Sequence, residues 1–295
     1  MEILYIKNKN DNYKTVNEVL KNEFNISSRL RLRLINNNMI FLNGVICSTK
    51  DFLQDNDEIR ISFNYDEESK NIVPIKMKLD IIYEDEWLLV VNKPAGIAVH
   101  PSILHFEDSL SNGIKFYFNQ ISLKKKIRPV NRLDKNTSGL VIFAKCEYIQ
   151  EQLINQMQNN TFKKEYLAIV EGIIEPQKGT IDLPIARKEN SIIERCIDKS
   201  GQKSITHYEV LNEFYIDKSK QINFLKKFNN IPNQINENYN IYKQQETFSL
   251  VKCTLETGRT HQIRVHFKAI GHPLIRWWNI WCFFPTDFKA SIALL

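Results

Sequence analysis

The sequence predicts an α+β protein, a small α+β module followed by a larger sheet-centred domain, and three observations carry that prediction. Several apolar runs are short and continuous, GLVIFAK at 139–145 being the clearest, as in strands covered on both faces. Long stretches with helical apolar spacing are few. A polar, acidic segment ending in proline, residues 64–75 (NYDEESKNIVPI), reads as a linker, which sets a module at 14–63 apart from a main domain at 76–295.

In the module, TVNEVLKNEF has the spacing of an amphipathic helix, and Ser27 is placed to cap a second helix that starts SRLRLRLI. RLRLRL also alternates with period two, as a strand does; Leu30, Leu34 and Ile35 share a helical face, however, and the cap favours helix. On that helix Arg29 and Arg33 share a face. MIFLNGVIC carries Asn43-Gly44 between apolar runs, the strongest short hairpin signal, and DNDEIRISF closes with a strand. In the main domain, LDIIYEDEWLLVVNKPAG reads as two strands around an acidic turn, and EYLAIVEG and FSLVKCTLETG as further strands. Residues 217–247, rich in Asn, Gln, Lys and Ile without steady periodicity, read as a surface insertion between two strands.

The formal charge of +6, from 40 basic and 34 acidic residues, suits a polyanionic partner without requiring one. Cys47, Cys146, Cys196, Cys253 and Cys282 are far apart, and no pair has the spacing of a zinc site, so a reduced, cytoplasmic chain is expected. His100/His105 and His261/His266 are each five apart, whereas ligands on one helix face want three or four, so no metal is expected. No apolar run approaches the roughly 18 residues that a membrane span needs.

Two runs carry candidate chemistry. RPVNRLDKNTSGLVIFAK (128–145) places Asp134 in a polar loop directly before a buried strand, between Arg132 and Lys135 and followed by Thr137, Ser138 and Gly139, which suit a hydrogen-bonded turn. A carboxylate held there on rigid supports can act as nucleophile or base; taken by itself it reads sooner as a capping or turn aspartate. LETGRTHQIRVHFKAIGHPLI (255–275) gathers Arg259, His261, Gln262, Arg264 and His266 after a Gly258 turn. As a strand this segment would put Gln262 and Arg264 on one face; as a helix the grouping changes. Either way Arg264, among apolar neighbours, needs a carboxylate, and Asp134 is the economical choice.

RLDKNTSGLVIFAK, TFKKEYLAIVEG and ETGRTHQIRVHFKAIGHPLI, in that order, resemble the signature blocks of the RluA-type pseudouridine synthases, over residues 80–275. Residues 14–63 resemble the small RNA-binding module first known from a ribosomal small-subunit protein, with Asn56-Asp57 where that module usually has Gly-Asp. The resemblance implies a sheet-centred catalytic domain that isomerises uridine in structured RNA, ribosomal RNA ahead of transfer RNA, as a monomer and without cofactor. Carried over by residue, it implies that Asp134 is the catalytic aspartate and Tyr166 stacks on the base. Arg264 becomes the arginine paired with the aspartate, and Arg132 the loop arginine that approaches the RNA. Arg29, Arg33, Arg259, His261 and Gln262 become candidate RNA contacts. Asn131 stands where many members have His.

After GHPLI the family continues with Gly-Asp and then Tyr-Gly, whereas this chain reads RWWNIWCFFPTDFKASIALL. Back-translating Arg276 to Trp281 as AGA TGG TGG AAT ATA TGG and reading one base later gives Asp-Gly-Gly-Ile-Tyr-Gly, which restores the pattern. A frameshift near Ile275 is therefore expected, with a catalytically inactive RNA-binding remnant as the alternative to an active enzyme.

Overall fold

The computed structural model describes residues 1–102, 106–191, 193–217 and 245–275, which leaves His105, most of the expected insertion and the expected frameshifted tail outside the described residues. The chain gathers into two compact units, Met1–Phe162 and Lys163–Leu295. Among the described residues no helix is long and apolar enough to cross a membrane.

The first unit opens with β1 (Glu2–Ile6), and a short helix α1 (Val16–Glu18) runs into a π-helical turn, Val19–Glu23. Helix α2 (Ser28–Asn36) follows, its first turn capped by the Ser27 hydroxyl, which accepts from Leu30 N at 3.2 Å. The helical reading of RLRLRL holds because Leu30 and Leu34, one turn apart, both reach the core. Strands β2 (Ile40–Leu42), β3 (Val45–Ile46) and β4 (Glu58–Ser62) complete an antiparallel sheet of order β1-β4-β2-β3. The two-residue turn between β2 and β3 is Asn43-Gly44, both at positive φ, as expected. Asn56 also sits at positive φ (70°), a conformation that asparagine tolerates and glycine favours, which explains the exchange noted there.

This module shares its core with the rest of the first unit. Val16, Leu20, Leu30, Leu34, Ile59 and Phe63 are buried together with Cys146, and Phe63 stacks on Tyr148 at 5.2 Å. Segment 64–75, expected to be a linker, is partly packed. Tyr65 is buried, and the Lys125 ammonium donates to the carbonyls of Phe63 (2.5 Å) and Tyr65. The compact units accordingly divide at Phe162/Lys163 and not at 64–75, because apolar and charged groups continue across that stretch. Beyond it lie β5 (Ile81–Glu84), β6 (Leu88–Lys93), α3 (Leu110–Gln120), β7 (Gly139–Ala144) and α4 (Glu147–Gln158), with the three strands forming an antiparallel sheet of order β5-β6-β7. β7 buries Val141, Phe143 and Ala144 but leaves Leu140 exposed, so it is not covered on both faces along its whole length.

In the second unit, β8 (Lys164–Glu171), β9 (Lys178–Asp182), β12 (Ile205–Asp217) and β13 (Gln245–Leu255) form an antiparallel sheet of order β8-β13-β12-β9. β10 (Ile185–Arg187) pairs with β11 (Arg195–Ile197) in a separate ribbon. α5 (Gln262–Ala269) covers one face of the larger sheet, packing Ile263 and Phe267 with Ala168, Val170, Val251 and Cys253. HQIRVHF is thus a helix, with Gln262, Ile263, His266 and Phe267 turned inward at helical spacing.

One buried ion network ties the module into the first unit: Arg33 pairs with Glu147, Arg128 pairs with Glu67, and Arg33 lies 3.8 Å from Glu67. Both side chains of the Arg128–Glu67 pair are less than a tenth exposed. Breaking such a pair on one side leaves a charge stranded in the interior. Arg128→Ala is expected to lower stability by about 3 to 5 kcal/mol, measured as the shift of the urea unfolding midpoint.

Candidate active site

Asp134 lies on the loop that joins residues 128–131 to β7. Val130 N donates to Ile142 O at 2.8 Å and Ala144 N to Arg128 O at 2.9 Å, so residues 128–131 run alongside β7 as a partial strand. Asn131 supplies the last rung with its side chain: Nδ2 donates to Leu140 O and Oδ1 accepts from Ile142 N, each at 2.9 Å. An amide can donate and accept at once, which is what this position requires. The loop then tightens through a turn in which Thr137 N donates to Asp134 O at 3.0 Å.

Its tip is held by Lys93, at the end of β6. The ammonium is fully buried and donates to Pro94 O (2.8 Å), Ile97 O (2.8 Å) and Lys135 O (3.0 Å); Gly96 N donates to the same Lys135 carbonyl at 2.8 Å. The backbone next to Asp134 is therefore stapled to the 94–97 loop by one cation and one amide. Burial pushes the Lys93 pKa down to about 8, and the negative charge of Asp134 acts in the opposite direction. Lys93 was not singled out in the sequence, although the signal exists: Leu89, Val91 and Lys93 fall on one face of a period-two run, and all three are buried. Arg132 is exposed beside this loop, and desolvation followed by the Arg132 charge lowers the pKa of His100.

The other candidates belong to the second unit, except for two on α2. Tyr166 is half-buried on β8 opposite Cys253 and packs against the core under α5. Arg264 is half-buried on α5. His261 precedes that helix with φ at 59°. Arg259 is exposed, its Nε donating to Lys203 O at 3.2 Å.

Two of the expected RNA contacts have partners within the protein. Gln262 is only 3% exposed: its Oε1 accepts from Thr257 Oγ1 (2.8 Å) and Arg259 N (2.9 Å), while Nε2 donates to Ile205 O (2.9 Å) and Thr206 Oγ1 (3.0 Å). It holds the 257–259 turn onto β12 and has no amide hydrogen left for RNA. Buried His266, one turn further along α5, bridges Thr206 Oγ1 and Leu183 O at 3.0 Å each. Arg33 pairs with Glu147, and Arg29 on the same helix is exposed.

Comparison with known proteins agrees with the motifs. The family described as RNA pseudouridylate synthase matches residues 87–269, a stretch that contains Asp134, Tyr166, Arg259 and Arg264. The uncharacterized RNA pseudouridine synthase YlyB of Bacillus subtilis (strain 168) is 35% identical over 243 residues, covering 81% of this chain and 70% of that protein. The ribosomal large subunit pseudouridine synthase D of Neisseria meningitidis serogroup A is 34% identical over 249 residues, 84% of this chain and 58% of that protein. This chain thus spans 58% to 70% of the length of these two relatives. Among solved structures, human RNA pseudouridylate synthase domain containing 1 aligns at 24% identity over 67% of each chain, with a TM-score of 0.49.

The Lys93 staple has a signed pH dependence. Its pKa stands near 8 folded against 10.5 ordinarily, so between those values the unfolded chain holds a proton that the folded chain has given up. Stability contributed at this site therefore rises as pH climbs from about 8 towards 10.5. Lys93→Met removes that slope, and the melting-temperature difference between wild type and variant is expected to grow in favour of wild type across this window.

Proposed function

We propose that this chain, which belongs to the RNA pseudouridylate synthase family, isomerises uridine to pseudouridine in structured RNA, with large-subunit ribosomal RNA as substrate. The observation that carries the reading is the family match across residues 87–269 together with the two relatives above 30% identity. The name of the Neisseria relative supports ribosomal over transfer RNA.

The net reaction breaks the bond between ribose C1′ and uracil N1 and forms one between C1′ and C5. N1 gains a proton and C5 releases one. Asp134 is the acting carboxylate, by attack or by proton abstraction, and a loop stapled through its neighbouring carbonyl supports that role because misplacement of a reacting group by 1 Å can cost about 100-fold in rate. Extruding a base from folded RNA costs a few kcal/mol. Stacking of the uracil on Tyr166 offsets this with about 1 to 3 kcal/mol. Arg264 supplies the positive charge that carboxylate chemistry needs, and Arg132 and Arg259 hold phosphates. Arg29 gives the amino-terminal module an outward cation for RNA.

The test is release of tritium from C5-labelled uridine in ribosomal RNA. Wild type is expected to release it and Asp134→Asn to release none, with Arg264→Ala slower by about 100-fold. Binding without any release from wild type would instead identify an inactive RNA-binding remnant.

A further inference from the structure

Lys164 and Tyr166 are two apart on β8 and therefore share the sheet face that α5 covers. Lys164 is half-buried at the start of the strand, opposite Leu255, where the chain leaves β13 for the Thr257–Thr260 turn. That turn closes over the ammonium: a Cβ placed on Gly258 would come within 3.5 Å of Lys164 Nζ. Arg259 is the next residue. Its amide donates to Gln262 Oε1 and its Nε to Lys203 O, which leaves the two terminal nitrogens unspent on those bonds.

Two cations are thus kept close together. Among the described residues neither has a carboxylate partner, since Glu165 pairs with Lys252 and Glu256 with His207. Burial lowers the Lys164 pKa, and the positive charge of Arg259 lowers it further. Two like charges held together cost free energy unless an anion lies between them. The buried amide of Gln262 fixes the backbone at Arg259, Gly258 lies against the ammonium, and Lys164 is two residues from Tyr166.

We propose that Lys164 and Arg259 form a phosphate clamp that grips the RNA backbone beside the nucleotide stacked on Tyr166, an inference that rests on the RNA-modifying activity proposed above. The pair takes the phosphodiester while Tyr166 takes the base, so both ends of one nucleotide are held from β8 and the turn after β13.

The experiment measures binding of an unmodified large-subunit ribosomal RNA transcript over a range of salt concentrations, in the Asp134→Asn background so that no turnover intervenes. Lys164→Gln and Arg259→Gln are each expected to weaken binding and to lower the slope of log Kd against log salt by about 0.7 to 0.9, the value for one phosphate contact. Lys164→Arg is expected to keep the slope. Arg259 is exposed, so Arg259→Gln carries the test should Lys164→Gln fail to fold. Unchanged affinity and slope in Arg259→Gln and in folded Lys164→Gln would overturn the clamp. Tritium release by the wild-type chain is read separately. Release with unchanged slopes sinks the clamp alone, whereas altered slopes without release leave the clamp standing and sink the isomerase.

Discussion

The geometry around Asp134 depends on a charge placed where water cannot reach it. An ammonium without solvent must find acceptors in the protein, and Lys93 finds three carbonyls on two separate loops. The need is mutual, because the same loops turn their carbonyls inward and require a donor. Neither loop has a regular ladder of its own to fix it. A neutral apolar residue at position 93 could fill the volume but would leave these carbonyls without the ammonium, with only the Gly96 amide still joining the two loops at Lys135 O.

A similar constraint governs the amino-terminal module. Arg33, Glu67, Arg128 and Glu147 come from segments far apart in sequence, and they pair only when α2, the 64–67 segment, the stretch at Arg128 and α4 are assembled together. The Ser27 hydroxyl, which caps α2, also donates to Glu151 at 2.6 Å. Phe63, Trp87 and Tyr148 then fill the space between with ring contacts. The module is consequently a fixed part of the first unit.

Much of this architecture was legible in the sequence, and the rest was not for identifiable reasons. The Asn43-Gly44 hairpin, the Ser27 cap and the strands β7, β8 and β13 rest on local turn chemistry and apolar runs, which a single sequence displays. The linker reading of 64–75 does not foresee the packing at its start, because polarity is a local property, whereas Tyr65 and Glu67 are held by Lys125 and Arg128, about sixty positions away. The intramolecular partners of Gln262 and Arg33 were hidden for the same reason: Ile205, Thr206 and Glu147 are distant in sequence. α4 was not foreseen, since it buries no side chain completely and has no side-chain cap; α3 was missed although Leu110, Ile114 and Phe118 recur at helical spacing and are all buried, behind a capping box formed by Ser109 and Asn112. Lys93 could have been recovered by extending the period-two pattern of β6 by one more residue.

The pairing of β12 with β13 runs to Asp217 opposite Gln245, so these two residues face each other directly across the ladder. Whatever joins those two residues has its ends already brought together by the ladder. The entropy of closing a loop grows only logarithmically with its length, about 0.6 kcal/mol for each doubling. Lengthening or shortening the stretch between them therefore changes stability little and leaves the register of four strands untouched. The edge of this hairpin is a place where evolution can experiment with length at small thermodynamic risk, and where an added peptide can be carried without disturbing the face that bears Lys164 and Tyr166.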